Sequence, residues 1–192
     1  MVPSEGDMTD EMLAKQAITE VVYRYARAID RMDEALLRDV FHPGSRHNHF
    51  YEGPSSDPDA PSTPEEPGDF VSFALGLLGT FTRTHHQLGN TLIEFTGEES
   101  ARVETYFTAF HRMRAASDPL AAANAFDTEM DYFVGGRYID QFALRDGEWK
   151  IVERIGMTDW TRVEAPVSQG FGDIDSRTIG KRAPHDYIYH GG

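Results

Sequence analysis

The chain has 192 residues, the length of one ordinary domain, and its hydrophobic fraction of 40% is sufficient to fill a core. Its formal net charge of −14 disfavours nucleic acids and anionic membrane surfaces as partners, because clusters of Lys and Arg bind both, and the 18 Lys and Arg residues are scattered along the sequence. The absence of Cys excludes disulfides, thiolate catalysis and Cys-based metal sites. The acidic N-terminus is not typical of a signal peptide, and no apolar run approaches the ~18 residues of a membrane span, so we expect a cytoplasmic protein.

Two helices are predicted after a flexible arm of residues 1–8. Thr9 is a suitable N-cap for the first helix, and apolar residues then recur at helical spacing as far as Ile29. Asp33 is the expected cap of a second, short helix over residues 34–41.

A strand, a loop and a third helix are predicted next. The sequence His42-Pro43-Gly44 would end the second helix, and residues 45–51 have the length of a strand. Residues 52–69 are rich in Pro, Ser and acidic residues, which predicts a surface loop that covers the mouth of the fold. Residues 70–78 then place five apolar side chains on one side of a helix.

Beyond the third helix the period of the apolar residues changes from 3.6 to 2, which predicts four long strands over residues 83–96, 100–114, 126–145 and 148–160. Asp146-Gly147 is a strong hairpin signal between the last two. Helices followed by antiparallel strands predict an α+β fold, in which a strongly curved sheet wraps around the N-terminal helices as a cone and can hold a small ligand.

We expect one domain over residues 1–192. Its core comprises residues 9–162, and residues 163–192 form an extended tail that helps to cover the mouth. Isolated aromatic side chains such as Phe171 and Tyr187 are expected to anchor this tail.

Several polar residues fall where the pattern expects an interior. Asp30 and Tyr25 lie near the end of the first helix, and His111 and Phe107 share one strand face. Adjacent residues of a strand point to opposite faces, so only one of His85 and His86 can face inward, and the residues that follow favour His86 as the inward one and His85 as the outward one.

The parity of the strand beyond His86 depends on a bulge. The pattern groups His86 with Leu88, Asn90 and Leu92 on one face, whereas a bulge at Gly89-Asn90 would shift the parity of the residues that follow. Tyr138 is expected on an interior strand face beside Gly135-Gly136, which we interpret as a second bulge.

A His beside an Asp in an apolar pocket forms a general-base dyad. The carboxylate fixes the imidazole tautomer, and the neutral ring can remove a carbon-bound proton. A Tyr or a second His can donate to a developing oxyanion or to a leaving hydroxide. Dehydration, other eliminations, double-bond shifts and aldol closures become possible without a cofactor.

Four segments carry a resemblance to a known family: YRYARAIDRMDEALLRDVFHPG, FVSFALGLLGTFTRTHHQLGNTLIEF, VETYFTAFHRM and GGRYIDQFALRDGEWKIVERIGMTDW. They resemble the SnoaL-like branch of the nuclear-transport-factor-2-like (cystatin-like) superfamily. Within it, the chain is similar to scytalone dehydratase, bile-acid 7α-dehydratase and hexachlorocyclohexane dehydrochlorinase. The resemblance implies a cystatin-like cone and a lyase or isomerase that acts on a small cyclic apolar substrate such as a steroid, a polyketide or an aromatic catabolite.

The resemblance also implies roles for individual residues. The family's catalytic Asp and His fall on Asp30 and His86, with Tyr25 and His111 as further catalytic candidates. The candidate substrate-binding residues are His49, Tyr138, Asn90 and Phe107. The polar residues that hold the substrate in scytalone dehydratase are replaced here, which makes scytalone itself an unsuitable substrate.

Two alternatives stay open. His47 and His49 on one strand face could ligate a metal with other His residues, but no Glu stands at a fitting spacing, and we expect neither a metal nor a cofactor. The fold also serves as a non-catalytic scaffold or ligand-binding subunit, as in a ring-hydroxylating dioxygenase small subunit. In either case we expect a homo-oligomer, a dimer or a trimer, that binds a small molecule and neither nucleic acid nor membrane.

Overall fold

The computed structural model describes residues 5–48, 67–121, 126–166 and 179–190 of the chain. Their elements, in chain order, are α1 (Glu5–Arg31), α2 (Glu34–Asp39), β1 (Phe41–Asn48), α3 (Pro67–Gly79), β2 (Phe81–Gly97), β3 (Ser100–Met113), β4 (Met130–Arg145), β5 (Glu148–Glu164) and a short 3-10 helix (Tyr187–Tyr189). No helix within these ranges combines the length and the apolar character that a membrane span requires.

Helix α1 begins earlier than the sequence predicts. It starts at Glu5, so Thr9 lies inside the helix, and the prediction of Thr9 as its N-cap is wrong. The apolar face is buried from Ile18 to Ile29, whereas Leu13 is 63% exposed. The first turns of α1 therefore extend beyond the part of the helix that the core covers.

The junction between α1 and α2 fixes the position of the last turn of α1. Met32 takes a left-handed backbone conformation, with φ of 51°, and the Asp33 N–H donates to the Ala28 carbonyl at 2.9 Å. The Asp33 carboxylate accepts from the Leu36 N–H at 3.0 Å, which confirms Asp33 as the cap of α2. Asp33 thus closes one helix and begins the next.

Strand β1 differs from its predicted bounds. Helix α2 ends at Asp39, and β1 starts at Phe41, so the segment His42-Pro43-Gly44 lies within the strand instead of ending the helix. Gly44 takes a φ of +75° there, which is a conformation that favours glycine.

The five strands form one sheet in the order β1-β5-β4-β3-β2, with β1 parallel to β5 and the other neighbours antiparallel. Helices α1, α2 and α3 contact the sheet and one another, and the buried hydrophobic cluster lies between these helices and the interior sheet face. The α+β prediction is confirmed.

The hairpin at Asp146-Gly147 is also confirmed, since both residues have positive φ, of 53° and 81°.

A bulge in β2 reverses the sheet faces to which the side chains of its second half point. Residues 89 and 90 together oppose Tyr106 of β3, between the pairs Leu88–Phe107 and Thr91–Thr105. The bulge at Gly89-Asn90 is therefore confirmed. However, Asn90 is exposed and Leu92 is 56% exposed, so the prediction that they share the face of His86 is wrong.

Two further irregularities shape β4 and β5. The register with β5 shifts between Gly135 and Gly136, where Asp159 of β5 has no partner, so a bulge lies at the expected place but its extra residue belongs to β5. A side chain at Gly136 would place its Cβ 2.0 Å from the Met157 carbonyl oxygen, so only glycine allows the strands to approach this closely. A second shift leaves Val152 of β5 without a partner in β4, and Arg154 consequently faces the interior.

The described end of the tail lies against the ends of α1 and α3. Arg182 Nη2 donates to the carbonyls of Leu78 and Phe81 at 2.8 and 2.9 Å. The Tyr189 hydroxyl donates to Asp33 at 2.9 Å. Tyr187 is 83% exposed and is not the anchor that the sequence suggested. The predicted anchor Phe171 and residues 52–66 of the predicted 52–69 loop lie outside the described residues, whereas residues 67–69 of that loop belong to α3 instead.

Candidate active site

A cavity of about 190 Å³ lies between the helices and the interior face of the sheet. Residues of α1, α3 and all strands from β2 to β5 line it. Its wall is largely apolar and includes Ile29, Phe70, Leu78, Phe81, Phe107 and Val134. The polar groups that interrupt this wall are Tyr25, His86, His111, Tyr132, Tyr138 and Thr158. A few convergent polar groups in an apolar cavity are typical of a small-molecule site.

Asp30 holds His86 by two hydrogen bonds. His86 Nδ1 lies 2.8 Å from Asp30 Oδ1, and the backbone N–H of His86 donates to Asp30 Oδ2, also at 2.8 Å. A carboxylate can only accept, so the ring proton lies on Nδ1, and Nε2 keeps its lone pair. Within the described ranges, no group hydrogen bonds to Nε2. Because the His86 ring lines the cavity, Nε2 is available there as a base.

The charge of Asp30 is stabilised by its partner. Burial by itself raises the pKa of the Asp30 carboxyl, but the hydrogen bonds and charge of His86 outweigh it and bring the pKa below its ordinary value. Only 9% of each of these two side chains is exposed. An Asp in the last turn of a helix opposes the helix dipole, so the two bonds to His86 compensate for an unfavourable position. Asp30 pairs with His86, and not with Arg27 or Arg31 as a structural Asp would.

His111 stands edge-on to His86, with 5.4 Å between the ring centroids and an angle of 90° between the planes. Burial, together with the charge of His86, lowers the pKa of His111 to about 4. His111 is therefore neutral at pH 7, and it can donate or accept one hydrogen bond without adding charge to the cavity.

Two tyrosines close another side of the cavity. The Tyr25 and Tyr138 rings lie 5.5 Å apart, and Tyr138 stacks on Phe107 at 4.2 Å. Burial raises the pKa of both hydroxyls, although the nearby Arg154 acts in the opposite direction. Both side chains therefore stay protonated at pH 7 and can act as hydrogen-bond donors.

A buried ion pair supports the tyrosines. Arg154 Nε and Nη2 donate to the two Asp140 oxygens at 2.7 and 2.6 Å, and both side chains are completely buried. The Arg154 guanidinium lies 3.9 Å from the Tyr25 ring centroid and 4.4 Å from that of Tyr138. Arg137 lies outside this arrangement and pairs with Asp159 and Glu104.

The metal hypothesis gains no support from the placement of the His residues. Among residues 5–48, 67–121, 126–166 and 179–190, no three His, Asp or Glu side chains are grouped to hold an ion. His47 is buried and stacks on Phe70 at 3.9 Å. Burial and the charge of Arg154 lower the pKa of His47 to about 3, so it is a neutral core residue.

The structure brings most of the predicted site residues together. His86, His111 and Tyr25 line the cavity with Tyr138 and Phe107, while Asp30 holds His86 from behind. Asn90 does not contribute, because the bulge turns it to the exposed face of β2. His49 lies outside the described residues.

Sequence reasoning missed three residues of the site, namely Tyr132 and Thr158 in the cavity wall and Arg154 beside the tyrosines. Tyr132 lies two residues before Val134, with the parity of Tyr138, so the alternation of β4 was a signal that could have found it. Arg154 had no such signal, because strict alternation from Trp149 and Ile151 places it outside, and only the extra residue Val152 turns it inward.

Comparison with known families then identifies the family. Residues 10–155 match the family of the SnoaL-like domain, which is more than half of the chain. The chain belongs to the SnoaL-like domain family. This SnoaL-like domain contains the whole of β1 to β4 and the first half of β5, and therefore nearly all of the residues that line the cavity. Among curated protein sequences, none matches the chain significantly.

Solved structures share the fold of this SnoaL-like domain at low sequence identity. A hexachlorocyclohexane dehydrochlorinase (LinA, type 2) is 15% identical with a TM-score of 0.67, and the match covers 86% of this chain and 99% of that one. A candidate scytalone dehydratase from Novosphingobium aromaticivorans is 20% identical with a TM-score of 0.62, over 87% and 99%. A cystatin-like protein of unknown function from Nostoc punctiforme is 18% identical with a TM-score of 0.54, over 83% and 96%. These similarities confirm the cystatin-like fold.

Proposed function

We propose that the protein is a cofactor-independent lyase or isomerase of the dehydratase type, in which Asp30 and His86 form a general-base dyad. One observation carries this proposal: the His86 ring donates a hydrogen bond from Nδ1 to Asp30 at 2.8 Å and also lines the apolar cavity. The fold similarity to a dehydrochlorinase and a candidate dehydratase supports the same reaction class.

The reaction begins with proton removal. His86 Nε2 takes a carbon-bound proton, and the electron pair of the broken C–H bond forms a carbon–carbon double bond or an enolate. The Asp30 carboxylate stabilises the imidazolium that results. In an elimination, the leaving group departs from the adjacent carbon with its bonding electrons. The protonated hydroxyl of Tyr25 or the neutral ring of His111 donates a hydrogen bond to it.

The cavity volume restricts the substrate. At about 190 Å³, the cavity is slightly larger than an engineered cavity of ~150 Å³ that binds benzene. One ring of five or six atoms fits this space, whereas a four-ring steroid does not fit inside it as a whole. We therefore expect the reactive part of the substrate to be a single apolar ring.

A matched pair of variants tests this function. His86→Gln and His85→Gln change the same residue type on the same strand, one at the cavity and one on the exposed face. We expect wild type and His85→Gln to convert monocyclic β-hydroxyketones to enones. The ultraviolet absorbance of the enone measures the rate of this reaction. His86→Gln should lose at least ~10²-fold in rate, the usual contribution of a general base.

Proton exchange gives an independent measurement. A base that removes a proton next to a carbonyl exchanges that proton in deuterated water, even when no leaving group departs, and NMR follows the exchange of a cyclic ketone. Equal exchange rates in His86→Gln and His85→Gln would exclude the dyad mechanism. Purification in a stable complex with a large oxygenase subunit, without exchange activity, would instead establish the scaffold alternative. Homo-oligomerisation and a cytoplasmic location stay predictions from the sequence.

A further inference from the structure

A second cleft, with several cationic residues in its lining, lies on the other side of Asp30 and includes the first half of β2 and Phe110 of β3. It has a volume of about 270 Å³, and residues from the end of α1, the first half of β2 and the tail segment 179–182 line it. Strand β2 is an edge strand of the sheet, so the tail and α1 are its neighbours here in place of another strand. The outward-facing His85 lines this cleft, whereas His86 does not.

The charge of the cleft is opposite to the charge of the chain. Four of its described lining residues are cationic, namely Arg31, Arg83, Lys181 and Arg182, and Asp30 is the one acidic residue among them. The chain as a whole carries a formal net charge of −14. The cationic residues are scattered in sequence, but the fold collects these four around one concavity.

Three of the four cations of the cleft form no ion pair with a carboxylate of the described part of the chain. No such carboxylate forms an ion pair with Arg83 or Lys181, and both side chains are exposed. Asp30 is committed to His86 through both oxygens. Asp186 lies at the margin, pairs with Arg31 at 3.3 Å, and accepts from the N–H of Lys181.

Arg182 is another cation of the cleft whose charge no carboxylate of the described chain balances. Its Nη2 donates to two backbone carbonyls, which are neutral acceptors. Burial lowers the pKa of Arg182, and the positive charge of the nearby Arg114 lowers it further. Cations crowded in this way are stabilised when an anion enters between them.

We infer that this basic cleft, formed by Arg31, Arg83, Lys181 and Arg182, is a binding site for the phosphate or carboxylate group of a small molecule. Guanidinium groups bind both anions through paired N–H donors, and an ammonium adds a point charge. The cleft is separate from the apolar cavity, and the two share no lining residue among those described. The inference therefore does not depend on the proposed catalytic function.

Isothermal titration with inorganic phosphate at low ionic strength tests the site, because exposed charges are screened by salt. The double variant Arg83→Gln/Lys181→Gln removes two exposed cations from the cleft. The control Arg102→Gln/Arg145→Gln removes two exposed cations elsewhere and gives the same net charge. We expect the cleft variant to bind phosphate at least ~10-fold more weakly than wild type, because each charge-assisted contact contributes substantially, and the control to bind as wild type does.

NMR titration locates the anion and distinguishes its source. Inorganic phosphate should shift the His85 ring and the amides of residues 83–85. If phenyl phosphate shifts only these signals, the cleft binds a separate effector. If phenyl phosphate also shifts the His111 signals, the cleft binds the anionic end of a substrate. Equal phosphate affinity in the cleft variant and the control, or no shift at residues 83–85, would overturn the inference.

Discussion

Replacement of Asp30 by Asn is the most informative perturbation of the site. Asp30 accepts two hydrogen bonds from His86, at Nδ1 and at the backbone N–H, both at 2.8 Å. Asn has one acceptor oxygen and one NH₂ group, so it can satisfy only one of the two donors. If its oxygen keeps the backbone N–H, its NH₂ faces Nδ1 and favours the tautomer with the proton on Nε2. That tautomer cannot act as a base in the cavity.

The cost in stability follows from these two bonds. Hydrogen bonds to a charged group contribute about 1.5–3 kcal/mol each, and a neutral one about 0.5–1.5 kcal/mol. In the tautomer with the proton on Nε2 both bonds persist but lose their charge assistance, at about 1–1.5 kcal/mol each, so the free energy of unfolding of Asp30→Asn should fall by about 2–3 kcal/mol at pH 7. Asp39→Asn is the control. It removes a carboxylate that is 45% exposed and pairs with Lys150 and Arg24, which should cost less than about 1 kcal/mol.

The cost of Asp30→Asn should depend on pH in one direction. The pKa of Asp30 in the folded protein lies below the ordinary value of 3.8, so its ionised form stabilises the fold fully above that value. This stabilisation is lost as the pH falls through the folded-state pKa. The difference between wild type and Asp30→Asn should therefore shrink in strongly acidic solution.

Urea unfolding and nitrogen-15 NMR of the imidazole check these expectations without a substrate. The wild-type spectrum should show His86 protonated on Nδ1, and Asp30→Asn should show it protonated on Nε2. The catalytic rate should fall by ~10²–10⁴-fold in the same variant. An unchanged tautomer, together with a stability loss no larger than that of Asp39→Asn, would refute the reasoning.

The remaining predictions concern the surroundings of the cavity. His111 has a folded-state pKa of about 4 against an ordinary value of 6.5, so the fold binds fewer protons there than the unfolded chain does. Stability should fall by ~2 kcal/mol between pH 6.5 and 5, and His111→Phe should reduce this loss in urea unfolding. Gly136→Ala, which places Cβ 2.0 Å from a backbone oxygen, should unfold well below the wild-type melting temperature. Gly76→Ala, in a helix with open space around it, should gain about 0.5–1 kcal/mol, and a loss there would contradict the steric argument. Arg154→Met should cost about 3–5 kcal/mol because it leaves the Asp140 charge buried and unpaired, and Arg154→Met/Asp140→Leu should recover much of that loss. Equal stability of the single and double variants would contradict it.

The sequence by itself determined the features that depend on neighbours along the chain. Apolar periodicity predicted the order of helices and strands, and Asp33 and the Asp146-Gly147 turn were predicted from local chemistry. Strand alternation required His85 and His86 to lie on opposite faces, and the grouping of His86 with its neighbours together with the family resemblance selected His86 as the interior one. The pairing of His86 with Asp30 came from the family resemblance, and the hydrogen bonds agree with it.

The tertiary structure decided what depends on a partner strand or on distant residues. The bulge at Gly89-Asn90 and the extra residue Val152 reverse strand faces, so Asn90 lies outside and Arg154 inside. The Gly89-Asn90 pair indicated a possible bulge, but the sequence left the face of Asn90 open and gave no signal at Val152, since the register with the neighbouring strand decides where a bulge forms. The basic cleft has the same origin. Its cations come from α1, β2 and the tail, and only the packing of these three segments brings them around one concavity beside Asp30.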